Sequence, residues 1–339
     1  MTRRSILAAF CALWAAPALA QAPITLRLSQ FLGPQSFFAR DFARPWAREL
    51  EAATNGRVRV ELLDATSAYG DVTKQAAQVA AGTVDIALGL RGAEPARFPC
   101  TAVAELPFVV RDALSGSRAL WAIHQRLQLC GEWDGFKVLA LFVHNPGLIH
   151  TATKPVTVPA DMPGLRFRAP NQAVAAALRA VSATPVILQV NDVMPALAAG
   201  RIDGIVTNWG NPLPDFDGHM HYHTAVQFYS SVFFVVMNKQ RFASLPPDVQ
   251  AAIDKLSGAA LVDRFAHLWD KWDQPVRDGA TGPGQQIITP DAAQMALWQA
   301  ALRPVADRYI AALPAGHAAD GRRIYDALIG KPQGNARMR

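Results

Sequence analysis

What this chain lacks narrows what it can do. Beyond residue 20 no apolar run is long enough to cross a bilayer. No basic run or stripe occurs, and a formal net charge of +6 is mild for 339 residues. Nucleic acid is therefore not an expected partner, and small anions are slightly favoured. The chain has no Gly-x-Ser-x-Gly elbow, no His-Glu-x-x-His pair and no Gly-x-x-x-x-Gly-Lys phosphate loop. The usual marks of serine hydrolases, zinc proteases and P-loop enzymes are thus missing. There is no low-complexity segment. Cysteine is scarce, with only Cys11, Cys100 and Cys130.

The first twenty residues do contain an apolar run. Arg3 and Arg4 precede an apolar stretch from Ile6 to Leu19, and Ala18-Leu19-Ala20 has the small-x-small form of a cleavage site. This predicts a signal peptide at 1–20 and an exported protein, which for this signal type means a bacterial periplasm. "TRRSIL" also partly resembles a twin-arginine export signal. Removing the segment takes two arginines and no acid, which lowers the net charge from +6 to +4. Cys100 and Cys130 would remain. An oxidising compartment invites a disulfide between them. Sequence does not set their distance, and two separate buried thiols are the expectation carried forward.

Periodicity gives the order of elements. "ITLRLSQ" and "RVRVELLD" read as strands around a helix from about Phe37 to Ala53. "DVTKQAAQVAAG" reads as a helix with Asp71 at its start and Gly82 past its end, and "VDIALGL" as a buried strand. The order β-α-β-α-β implies a parallel sheet. It returns as "GLRFRA", a helix capped by Asn171, "PVILQ", a helix opened by Asn191 and Asp192, and "RIDGIV". "AAGTVDI" at 80–86 and "AAGRIDG" at 198–204 repeat one theme, in which a glycine stops a helix and Asp85 or Asp203 opens a strand. Those aspartates are expected to be structural. Between the units, "NPGLIHTATKPVTVPADMPG" has the composition of a crossing segment. "YSSVFFVVMNK" reads as a strand, and residues Val249 to Trp272 as one long helix.

"GLRFRAPN", residues 164–171, carries the sharpest chemistry. Arg166 and Arg168 lie two apart on a strand and point the same way. Pro170 should end the ladder and leave Arg168 at the strand's carboxyl end, where open α/β sheets bind ligands. Two buried like charges need an acid or an anionic ligand to answer them.

Several stretches in order resemble the substrate-binding subunits of tripartite ATP-independent periplasmic (TRAP) transporters, the C4-dicarboxylate-binding family. They are "ELEAATNGRVRVEL", "QVAAGTVDIAL", "AELPFVVRD", "PADMPGLRFRAPN", "ATPVILQVNDVMPAL", "GRIDGIVTN" and "FFVVMNKQRFASLPPDVQAAI". The resemblance implies a two-lobed α/β solute-binding fold, each lobe a βαβαβ-based sheet flanked by helices, with hinge strands and a long helix joining the lobes. The expected division is 21–145 plus about 231–270 for lobe I and 146–230 plus about 271–330 for lobe II, with 331–339 a frayed tail. It implies capture of an organic acid and delivery to integral-membrane TRAP permease subunits, with no catalytic residue, no cofactor and no membrane insertion. A monomer is the family default. A periplasmic sensor's ligand-binding partner needs the same module, and a periplasmic enzyme is the other alternative class.

The resemblance makes Arg168 the carboxylate clamp, and a guanidinium fork suits a carboxylate. Arg166 better suits a structural pair. At the other contact positions stand Phe31, Leu90, Leu148 and Val190, with Thr207, Asn208 and Trp209 near the cleft wall. A second arginine used by some members falls at Leu148 and is missing. His144, His150 and Arg91 are the neighbouring residues that could stand in, although the expectation for each is an ordinary loop residue. Apolar walls imply a monocarboxylate with an apolar or aromatic body rather than a sugar acid or small dicarboxylate. "HMHYH" puts His219, His221 and His223 on one face if extended, a possible metal set, and some family members bridge a substrate carboxylate with a metal. The expectation here is a solvated turn and no metal.

Overall fold

The computed structural model describes residues 23–331 apart from 211, 212, 214 and 215. The expected signal peptide and nearly all of the expected tail lie outside the described residues. The first sheet contains β1 (Ile24–Gln30), β2 (Val58–Leu63), β3 (Ile86–Leu90), β4 (Phe136–Val143) and β10 (Val232–Asn238) in the order β2-β1-β3-β10-β4. β1 runs parallel to both β2 and β3, as the β-α-β-α-β reading requires. The late strand β10 inserts antiparallel between β3 and β4. All seven of its residues are buried.

The second sheet contains β5 (Gly147–Thr151), β6 (Arg166–Ala169), β7 (Thr184–Ile187), β8 (Gly204–Thr207), β9 (Tyr222–Tyr229) and β11 (Gln286–Ile288) in the order β11-β9-β5-β8-β6-β7. Here β6 is the middle of a parallel trio, flanked by β7 and β8. Together the sheets and flanking helices form two α/β lobes. The chain passes between the sheets at His144–Pro146, from β4 to β5, and at Ser230–Ser231, from β9 to β10.

Some sequence expectations needed correction. The crossing segment is not all loop, because Gly147–Thr151 forms β5 between β8 and β9. Its Pro-rich composition lies in its second half, where the chain does turn. The single helix over Val249–Trp272 is two helices, Pro247–Lys255 and Ala259–Gly279. Gly258 takes φ +67°, where a side chain would be strained, and its N–H bonds Leu139 O at 2.7 Å instead of continuing the helix. Cys100 and Cys130 are joined in a disulfide with Cα atoms 6.2 Å apart, not left as separate thiols. Four consecutive residues with positive φ, Gln128 to Gly131, turn the chain back toward Cys100. Pattern reading does not see such a turn.

Helix Ala259–Gly279 runs from one lobe to the other. It packs on β4 and on helix Ala113–Leu127 in the first lobe, and its Asp273 reaches the β8 end of the second. Helix Ala292–Ala311 lies on helix Gln172–Ala180 of the second lobe. The last helix, Ala318–Leu328, packs against helix Ala113–Leu127 of the first lobe, although the expected division placed it with the second. Its buried Ile324 belongs to the large core cluster shared by both.

Candidate functional site

Strand β6 presents its residues alternately. Phe167 and Ala169 are fully buried in the core, and Arg166 and Arg168 lie on the other face. Pro170 ends the ladder. Asn171 caps the following helix, its side-chain oxygen accepting the Val174 N–H at 2.9 Å. The two arginines then meet different fates. Arg166 holds Asp203 bidentately, Nε to Oδ2 at 2.9 Å and an amino nitrogen to Oδ1 at 2.7 Å. That pairing keeps the Asp203 carboxyl below its ordinary pKa. Arg168 donates from Nε to Leu188 O at 3.2 Å, and no carboxylate among the described residues lies within ion-pair distance of it. Burial disfavours its charge and lowers its pKa, with Tyr229 acting in the opposite sense. A guanidinium stays protonated in proteins, so the fold keeps an unanswered cation.

That cation lines a cavity of about 400 Å³ between the lobes. The first lobe supplies aromatic and aliphatic walls, with Phe31, Phe37, Phe38, Leu90 and Phe233 among them. Phe38 packs edge-on to Phe31 and Phe233 at 6.1 and 5.6 Å, and Phe37 tilts against it at 4.7 Å, which fixes the rings as one surface. The second lobe supplies Val190, Thr207 and Asn208 beside Arg168. Asn208 is held by its amide, which donates to Asp273 Oδ1 at 2.9 Å. Asp273 also accepts from Asn145 at 2.9 Å and from Gly210 N. Its burial raises its pKa.

The cavity floor is polar and comes from the two crossings. His144 Nε2 accepts the Ser231 N–H at 3.0 Å, so its proton sits on Nδ1, which donates to Asn145 O. Burial pushes its pKa down to about 4, and it stays neutral. Tyr229 is buried beside it, its ring edge-on to the imidazole at 5.2 Å, and burial raises its pKa. Its ring lies against Gly147, where an added Cβ would come within 2.2 Å of the ring. A glycine is therefore required at 147 for Tyr229 to sit there.

Six of the eight residues expected at the site meet in this cavity: Phe31, Leu90, Arg168, Val190, Thr207 and Asn208. Leu148 and Trp209 do not. They pack with Ala280 and border a separate cleft of about 550 Å³ along helix Ala259–Gly279. The sequence registers Trp209 beside Thr207 and Asn208 but not the turn that follows β8 and carries its ring elsewhere. The stand-ins are otherwise occupied. Arg91 is buried in an ion pair with Glu105. His150 is buried against Thr207 O at 3.0 Å and His223 Nδ1 at 2.8 Å, its pKa pushed down to about 3 by burial. The three histidines of "HMHYH" do not converge. His223 is fully buried in β9 rather than in a solvated turn, while His219 is exposed. Among the described residues the only group of three potential metal ligands is Cys100, Cys130 and His317, and its cysteines are already joined.

Pattern reading missed Phe37, Phe38 and Phe233 as walls and Tyr229 and Ser231 as floor. For Tyr229, Ser231 and Phe233 the one visible signal was position, since "YSS" immediately precedes the strongest strand of the chain.

Two lobes joined by paired crossings, with a ligand-sized cavity and an unpaired cation between them, define a bilobed solute-binding protein. Residues 28–312 match the family described as bacterial extracellular solute-binding protein, family 7 (DctP), and the chain belongs to that family. It is therefore a periplasmic solute-binding protein of the TRAP type, and its role is binding rather than catalysis. It is 26% identical over 302 residues to the C4-dicarboxylate-binding periplasmic protein DctP of Rhodobacter capsulatus, covering 86% of this chain and 87% of that one. A marine metagenome TRAP solute-binding protein described as specific for aromatic acid ligands, solved with 3-hydroxybenzoate, is 30% identical at a TM-score of 0.84; 91% of this chain and 98% of that one align. A TRAP solute-binding protein of Rhodoferax ferrireducens, solved with copurified benzoate, is 27% identical at a TM-score of 0.81, with 91% and 97% covered.

Proposed function

We propose that this protein captures a monocarboxylate with an apolar or aromatic body and delivers it to the membrane subunits of a TRAP transporter, after export directed by residues 1–20. The observation that carries this reading is Arg168, an unpaired cation at the end of a cavity with largely aromatic walls. The ligand carboxylate docks on Arg168, with Thr207, Asn208 and the Tyr229 hydroxyl around it. Its body lies against Phe31, Phe37, Leu90 and Val190. Relatives solved with benzoate and 3-hydroxybenzoate support the same ligand class.

Binding and closure are coupled through solvent. The cavity walls come from both lobes, so a ligand bridges them, and closure about 144–146 and 230–231 removes water from the ion pair and strengthens it. The ligand shifts the open–closed balance only by its difference in affinity for the two states. An apolar wall contributes to both affinity and choice, because a sugar acid's hydroxyls would be buried there without partners.

The test is a thermal-shift screen of the purified protein against carboxylates, amino acids and sugars, followed by calorimetry on the hits. Aromatic or branched monocarboxylates should raise the melting temperature by mass action. A clear preference for a sugar acid or succinate would overturn the ligand class.

A further inference from the structure

Arg168 sets one end of the cavity, and a second charge stands on its wall in the opposite lobe. Asp71 lies in the loop that follows β2, just ahead of a short 3₁₀ segment, Val72–Lys74, that leads into helix Gln75–Ala80. Among the described residues lining the cavity it is the one carboxylate. Its Oδ1 accepts the Thr73 N–H at 2.9 Å and the Thr73 hydroxyl at 2.7 Å, and Oδ2 faces Lys74 Nζ at 3.1 Å. These bonds orient the group and keep it ionised. An ionised carboxylate has about four lone-pair sites. Three are engaged, so one acceptor position is left for a ligand.

We propose that Asp71 decides what the far end of the ligand may carry: an apolar end is accepted, a hydrogen-bond donor such as a hydroxyl is favoured, and a second anionic group is rejected. This rests on the ligand carboxylate being held at Arg168, which leaves the rest of the body to extend toward the first lobe. A dianion would then bring like charges together across the cavity; the Asp71 side chain is 40% exposed at the cavity rim, so solvent screens part of their repulsion. Lys74 stands beside Asp71 and offsets part of that field, so the discrimination is graded. The first lobe thus reads the substituent while the second reads the acid.

The experiment compares three ligands of one shape, phenylacetate, 3-hydroxyphenylacetate and 3-carboxyphenylacetate, by calorimetry on the wild type, Asp71→Asn and Arg168→Ala. Asparagine keeps the capping acceptor, so the turn should fold. In the wild type the dicarboxylate should bind about threefold to fivefold more weakly than the hydroxy acid, and Asp71→Asn should bring that ratio back toward one. A ratio unchanged in Asp71→Asn overturns the role of Asp71 while leaving the Arg168 reading intact. Undiminished affinity in Arg168→Ala, or no binding of any of the three to the wild type, overturns the Arg168 reading and this inference with it.

Discussion

In the first lobe Asp85 accepts the backbone N–H of Arg27 at 2.8 Å and returns its own N–H to Arg27 O at 3.0 Å. In the second, Asp203 makes the same reciprocal pair with Arg166 at 2.8 and 2.7 Å. β1 and β6 are the matching middle strands of two parallel trios. Two residues along from these pairs, the lobes diverge. In β1 the place of Arg168 is taken by Ser29, fully buried and donating to Gln75 Oε1 at 2.7 Å. The Gln75 amide in turn donates to Tyr69 O and Asp71 O, each at 2.8 Å. At Ser29 the first lobe closes its polar network upon itself, and the wall it turns to the cleft is largely aromatic, with Asp71 at its rim. The second leaves its charge open. The same scaffold yields a wall where the polar group has an internal partner and an anchor where it has none.

The largest effect should come from removing the anchor. Arg168→Ala should reduce ligand affinity by roughly 2–4 kcal/mol, the usual loss when a desolvated charged hydrogen bond is truncated, while the unliganded protein melts at the same temperature or slightly higher. Ser29→Ala should do the reverse. It should destabilise the fold by about 1 kcal/mol, since it leaves Gln75 short of a partner, with little change in affinity. Calorimetric titration and scanning on the two variants check both halves. A comparable loss of affinity in Ser29→Ala would break the comparison.

A second effect belongs to the buried histidines of the hinge and second lobe. His144 and His150 are held neutral, with pKa values pushed to about 4 and about 3. In the unfolded chain they would protonate near pH 6.5. The unfolded state therefore takes up protons that the folded state refuses, and stability falls as pH drops below about 6.5. The loss should be about 2 kcal/mol for each histidine between pH 7 and pH 5. Denaturant unfolding at several pH values measures it, and His150→Gln should flatten the slope whatever it does to absolute stability. An equal slope in His150→Gln would contradict a buried neutral imidazole.

The smallest effects sharpen the likeness between the lobes. Asp85→Ala and Asp203→Ala each remove an acceptor from a strand N–H, that of Arg27 in β1 and of Arg166 in β6, and should each cost about 1 kcal/mol. The two sites share no partners, so their effects should add in the double variant. Neither should alter ligand affinity, because both aspartates sit at the end of the strand away from the cavity. Asp203 contributes stability above its ordinary carboxylate pKa and loses it as pH falls through the depressed folded value. Acid melting below about pH 4 should therefore differ less between wild type and Asp203→Ala than at neutral pH.

Much of this plan was legible in the sequence because local periodicity and stop signals determine it. Ile24–Gln30 alternates and is a strand, and Gly82 and Gly200, which follow helix ends, both take positive φ. Asn171 caps the helix it was expected to cap. Arg168 was legible for the same reason, since Pro170 stops the strand and leaves that side chain at its carboxyl end. The break at Gly258 was not, because apolar spacing continues across it and the hydrogen bond that holds the break, donated by Gly258 N–H, is accepted by Leu139 O, far away in sequence. Nor was the cavity floor. Tyr229, His144 and Ser231 meet only because two crossings lie side by side, and nothing in their local spacing says so.

The sequence by itself determined the repeated β-α-β-α-β units, the aspartates that open their last strands and the position of Arg168. All of these follow from side-chain period, turn residues and chain stops acting over a few residues. Tertiary structure alone decided that Arg166 is answered by Asp203 while Arg168 meets no carboxylate among the described residues, that Cys100 meets Cys130, and that Leu148 and Trp209 border a separate cleft. Those outcomes depend on which distant groups come within a few ångströms, which folding settles through the packing of whole elements rather than through any local pattern.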